Sequence, residues 1–257
     1  MRDLTLGGSR KIVIAIDELD KLPDHESVIR TINVLKDLFH VNGVHVLVTV
    51  SDEARAHFGL GRHERDVFDS SFDDILDVER LRVSDSRQII DARVVGVPTQ
   101  LLVLSHVASA GIARDLIRNT RNLVDAAVEF ESIPPWRELA RLVVSGEGQT
   151  LLTDYARLSK DKSNIPRASE ALDELDALSR IELQVTRMPT DLGSPLSGVF
   201  ARKAILLVVI EWLIAADLSD LAAVAPTIEK FRDAIVLASQ DGGSDAALEL
   251  ALDISSS

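Results

Sequence analysis

Two adjacent carboxylates, Asp17 and Glu18, follow the uninterrupted run KIVIAI at residues 11–16. A β-branched run without polar alternation suits a strand covered on both faces, as in a parallel sheet. Such a strand delivers the next residues of the chain to the carboxyl edge of the sheet, where ligands of open α/β folds bind. One carboxylate there can hold Mg²⁺ through its water shell while the next polarises an attacking water. The same residues also read as a strand followed by an acidic turn that caps the next helix. Thr49 and Ser51 stand at the end of a second apolar run, VHVLVTV. A hydroxyl at that edge can donate and accept, and Ser51 equally reads as a helix N-cap. In GIARDLIRNTRNLV, Arg114, Arg118 and Arg121 recur at i, i+4 and i+7 and share one helical face. With Asp115 available to pair locally, that face by itself reads as a solvated one.

The elements that must position these groups come from hydrophobic spacing. Val28, Ile32, Leu35 and Phe39 mark one face of a helix over residues 26–40, started by Pro23 and Asp24. Asn42-Gly43 then turns the chain into the second run, so the first 50 residues predict a βαβ unit with a right-handed crossover. Ser51 starts a short helix to His57, and the charged loop GRHERD comes next. Residues 72–78 predict a third strand and 85–95 a helix. Beyond Val97-Pro98 the spacing is helical, over 99–109, 113–130, 136–144, 150–159, 167–181, 199–216 and 228–238. The expected division is an α/β portion at 1–97, a helical lid at 98–133 and a helical C-terminal domain at 134–257. Gly-Gly and Ser-Ser-Ser predict a flexible tail at 241–257.

KIVIAIDELDKL resembles the Walker B strand of P-loop NTPases, and the DELDK continuation is similar to the AAA+ and STAND branch, including KAP-type and origin-recognition ATPases. GIARDLIR resembles the G-x-x-R-D-L-x-R signature of the same family's lid. The resemblance covers residues 11–133. It implies a partial P-loop α/β core with parallel strands, then an all-α lid and a helical C-terminal domain. It implies Asp17 as the metal-side acid, Glu18 as the catalytic base and Thr49 or Ser51 as sensor one. Arg114 becomes the sensor-two arginine reaching the nucleotide phosphates, and Arg62 or Arg65 an arginine finger acting on a neighbouring subunit. ATP and Mg²⁺ are the implied cofactors, and a homo-oligomer or protein partner the implied assembly. Nowhere do the 257 residues contain G-x-x-x-x-G-K-[ST], the loop whose amides wrap phosphates. The expectation is therefore the C-terminal part of a longer ATPase, or a nucleotide-free scaffold derived from one.

Composition narrows the alternatives. With 28 Lys+Arg against 41 Asp+Glu the net charge is −13, which gives no global field for nucleic acid. No cysteine is present, which excludes thiolate metal sites and thiol nucleophiles and fits a cytoplasmic location. The N-terminal residues lack the apolar stretch of a secretory signal. The apolar run 204–216 is shorter than the roughly 20 residues a bilayer needs, and it carries Glu211. There is no G-x-S-x-G and no H-E-x-x-H. His57 and His63 with Glu64 and Asp66 read as an acidic loop rather than a metal site, and Asp73 and Asp74 as solvent-facing. RIELQVTR at 180–187 reads as a strand after a helix, as in a winged helix. Its acidic neighbours Glu170, Asp173, Glu174 and Asp176 disfavour a phosphate backbone and favour protein contact.

Overall fold

The computed structural model describes residues 11–17, 25–39, 41–50, 73–74, 76–130, 134–159, 162–179, 182–183, 185–189 and 191–256. The chain divides after Val78 into two compact units.

The first unit holds β1 (Ile12–Ile16), α1 (His25–Phe39) and β2 (Val44–Val48). The strands pair parallel and in register, Ile12 opposite Val44 through Ile16 opposite Val48. Gly43, at φ 81°, makes the turn into β2. Val28 and Ile32 of α1 are buried against Ile16, Val48 and Val50. The expectation of strands covered on both faces is corrected among the described residues. Burial alternates along β2 and from Val13 to Ile16 of β1, and Val13 at 66% and Leu47 at 55% lie exposed on the face away from α1. The expected third strand is absent from described residues 73–74 and 76–82, and Asp73 and Asp74 are exposed.

The second unit is helical: α2 (Val83–Asp91), α3 (Thr99–Ala108), α4 (Ala113–Val128), α5 (Trp136–Leu158), α6 (Ile165–Ala177), α7 (Leu196–Ala215), α8 (Leu221–Ala238) and α9 (Ser244–Ser256). One continuous hydrophobic core runs from Val83 to Leu252. At its centre lies α7, whose residues Ala204 to Ile210 are all buried, packed by α3, α5, α6, α8 and α9. Among the described residues no helix is long and apolar enough to cross a membrane.

Several boundaries differ from the sequence expectation for identifiable reasons. Helix α2 starts two residues early because the Asp85 carboxylate accepts the Arg82 amide at 3.1 Å, closing the first turn. The two helices expected on either side of Ser145-Gly146-Glu147-Gly148 are one, α5. Gly148 is there for approach rather than as a breaker: a Cβ at this position would sit 3.1 Å from Lys203 Cδ of α7. A Cβ on Gly146 meets nothing within 4 Å. Gly146→Ala is therefore expected to stabilise the unit by about 0.5–1 kcal/mol, seen as a raised melting temperature.

Helix α8 begins before Pro226, because Asp220 accepts the Ala222 and Ala223 amides at 3.0 and 3.3 Å and supports the first turn. The flexible tail expected at 241–257 is corrected: Ala247, Leu248, Ala251 and Leu252 form a buried stripe that seats α9 on α7 and α8. The strand expected at 180–187 is absent among the described residues; Glu182 and Leu183 are helical, with Leu183 buried.

Candidate functional site

In-register parallel pairing fixes the neighbours that stand beyond each strand. Ile16 faces Val48, so Asp17 and Thr49 emerge side by side at the carboxyl end of the sheet. The Thr49 amide donates to the Ile16 carbonyl at 3.0 Å, which continues the ladder by one bond. The Thr49 hydroxyl then donates to Asp17 Oδ1 at 2.5 Å. A hydroxyl held on a carboxylate at that distance is a short, charge-assisted contact. Both residues are exposed.

Glu18 and Ser51 lie outside the described residues, as do Arg62, Arg65, His57 and His63. Arg114 stands in the first turn of α4 in the helical unit, with its side chain exposed. Arg118 pairs with Asp115 at 3.1 Å, and Arg121 is exposed. Gly111, at the head of the same motif, has φ 72°, and a Cβ there would lie 3.0 Å from both Arg80 Cβ and the Leu81 carbonyl. The glycine of G-x-x-R-D-L thus has a packing reason of its own. No family model, curated protein or solved structure matches the chain.

Asp17 and Thr49 present hard oxygen donors, the ligand type that suits Mg²⁺. Among the described residues no three His, Asp or Glu side chains gather to hold a metal. Mg²⁺ is commonly held by one or two carboxylates, with water and substrate phosphate completing its shell, so this edge fits such an ion.

The helical unit contains polar clusters that sequence spacing does not reveal. His106 is fully buried; its Nδ1 lies 2.8 Å from Ser86 Oγ and its Nε2 3.4 Å from Glu229 Oε2. The carboxylate only accepts, which places the imidazole proton on Nε2 and makes Ser86 the donor to Nδ1. Glu229 also accepts the Val83 amide at 2.8 Å and pairs with Arg232. These are the residue types of a serine hydrolase triad, but Ser86 and His106 are both 0% exposed, so the cluster ties α2, α3 and α8 together rather than meeting a substrate. Glu211, the charge inside the apolar run, accepts Arg137 and Arg141, each at 2.7 Å.

Both clusters make stability depend on pH in the same direction. Burial holds the His106 imidazole below its ordinary value of about 6.5, although Glu229 opposes the shift. The unfolded chain therefore takes up a proton that the folded chain resists, and stability falls as pH drops through that value. Burial would raise the Glu211 carboxyl, but the two guanidiniums outweigh it and hold it below the usual carboxylate range. Its contribution is complete above the unfolded value and is lost as pH falls through the folded one. Denaturant titrations from pH 8 to 4 are expected to show the His106 loss first. His106→Gln should flatten the profile near pH 6.5 while leaving the more acidic limb; an unchanged profile would remove His106 as its source.

Proposed function

We propose that this chain is the C-terminal part of an AAA+/STAND-like ATPase that couples ATP binding and hydrolysis to conformational change, its phosphate loop supplied by a segment outside these residues. The contact between Thr49 and Asp17 at the carboxyl ends of adjacent parallel strands supports this reading. In it, Asp17 would hold the Mg²⁺ through its water shell, Thr49 holds that carboxylate with its hydroxyl proton and would accept a hydrogen bond from the lytic water, and Glu18 would take that water's proton. Bound Mg²⁺ would neutralise charge on the phosphates. Arg114, permanently charged and exposed on α4, serves as the lid's phosphate contact. A cytoplasmic, oligomeric or partner-bound ATPase is the assembly this reading assigns.

The test is turnover by the native assembly purified on a tag carried by this chain. Glu18→Gln is expected to lower kcat about 100-fold or more while ATP still binds. Unchanged turnover would remove Glu18 from its role and this reading with it. The nucleotide-free scaffold is the second reading, favoured by the absence of G-x-x-x-x-G-K-[ST] from the sequence. It expects no thermal shift with Mg-ATP in the same assembly and intact partner binding after Asp17→Ala.

A further inference from the structure

Helix α4 carries most of its charges in the order opposite to its dipole. Arg114, Arg118 and Arg121 lie in its first half, while Asp125 and Glu129 stand at its end. A helix dipole favours the reverse, anions near the N-terminus and cations near the C-terminus. Asp115 in the first turn offsets one of these charges, pairing with Arg118 at 3.1 Å. The others are not offset. Arg114, Arg121, Asp125 and Glu129 are all exposed, and none has an ion-pair partner among the described residues. Arg121 and Asp125 are one turn apart with the cation first, the weaker order for a pair along one helix.

These unmatched charges share one face. With 3.6 residues per turn, Arg114, Arg121 and Asp125 fall within about 40° of one another, on the side away from the buried Leu116, Thr120 and Leu123. Beside them Val124 is 37% exposed and Val128 78%. A face with cations toward one end, anions toward the other and apolar side chains alongside is complementary to itself turned end for end. We infer that the outer face of α4 docks on the same face of a second copy, the two helices antiparallel about a two-fold axis, with Arg121 of each beside Asp125 of the other. An isologous contact uses each pairing twice. An axis at residue 123 also sets Arg118 opposite Val128 of the second copy, where its apolar stem gives cover, and the opposed helix dipoles attract. Arg114 then lies past the end of the other helix and stays open to the phosphate contact proposed above. The inference does not rest on that proposal, since every group it uses lies in the helical unit. The overlap, residues 118–128 of each copy, is about 16 Å long, less than a standard-sized interface supplies, so the dimer is weak and sensitive to salt.

The test is sedimentation velocity of the full chain from about 5 to 500 µM in about 50 mM salt. A reversible dimer with Kd of about 100 µM or tighter is expected, weakened about threefold or more in about 500 mM salt. Arg121→Asp and Asp125→Arg should each weaken it at least about tenfold, because each sets like charges together across the axis. The double exchange, Arg121→Asp with Asp125→Arg, should restore association to within about threefold of the parent, since the pair re-forms with its signs reversed and the net charge is kept. Both positions are exposed, and unchanged far-ultraviolet circular dichroism checks that the variants fold. A monomer at every concentration, a dimer indifferent to both single changes, or a double exchange that associates no better than the single ones would each overturn the assignment.

Discussion

Phe231→Ala is expected to lower the unfolding free energy of the helical unit by about 3–5 kcal/mol, the cost of deleting a fully buried aromatic ring and leaving its cavity. Phe231 is 0% exposed on α8, and its ring meets Trp212 of α7 with centroids 5.3 Å apart at an interplanar angle of 57°. Their tilted contact adds to the area term, because such ring pairs contribute about 0.5–1.5 kcal/mol beyond burial. The measurement is well isolated. Both tryptophans of the chain, Trp136 and Trp212, lie in the helical unit, so urea titration followed by tryptophan fluorescence reads that unit without the first. A midpoint melting temperature about 10 °C lower is the matching thermal result. A loss below 1 kcal/mol would mean that α7 and α8 are not packed through this pair.

Asp176→Ala should cost a comparable 3–5 kcal/mol or so, for a different reason: it strands a buried cation. The Lys203 side chain is 1% exposed, and its ammonium donates to Asp176 Oδ2 at 2.8 Å and to the Leu172 carbonyl at 2.7 Å. Ser145 of α5 donates to the other oxygen of Asp176 at 2.6 Å, so one carboxylate joins three helices. Removing it leaves the ammonium with a single carbonyl partner. Lys203→Met, which removes the buried charge and keeps the volume, is expected to change stability by less than about 1 kcal/mol, since a well-packed apolar side chain often replaces a buried ion pair without loss. Denaturant curves for the two variants decide the matter. If Lys203→Met proves the more damaging, the pair acts through the fit of its charges rather than through the penalty of an unpaired one.

How much of this was legible in the sequence depended on how local the cause was. The apolar runs at residues 12–16 and 44–48 and the spacing of Val28 and Ile32 were enough to place the βαβ unit. In-register pairing of those strands then joined Asp17 to Thr49, across 32 residues. The positions of α3, α4 and α7 were likewise clear from spacing. The features that were missed have non-local causes. Gly148 reads as a break until Lys203 is seen lying over it from α7. The serines and glycines near residue 241 read as a loose tail, although a four-residue Ala/Leu stripe seats the last helix. Gly243 belongs to the same misreading, since a Cβ there would stand 2.2 Å from the Leu237 carbonyl, a close turn that no local pattern announces. His106 and Glu229 are 123 residues apart, and Arg137 and Glu211 are 74 apart, so neither pair carries a spacing signature.

The central place of α7 also governs the order in which this chain can be made. Helix α3 buries Leu101 through Ala108, and α7, one of the helices that cover it, begins only at Leu196. At a synthesis rate of about 5–20 residues per second, the apolar surface of α3 leaves the ribosome on the order of 5–20 s before that cover emerges. By the end of that interval the nascent chain carries roughly half of its future core, the buried residues from Val83 to Leu192, as unfinished, sticky surface. Pauses in translation after residue 108 lengthen the exposure, and holdase chaperones that engage the nascent chain there shorten its effective life.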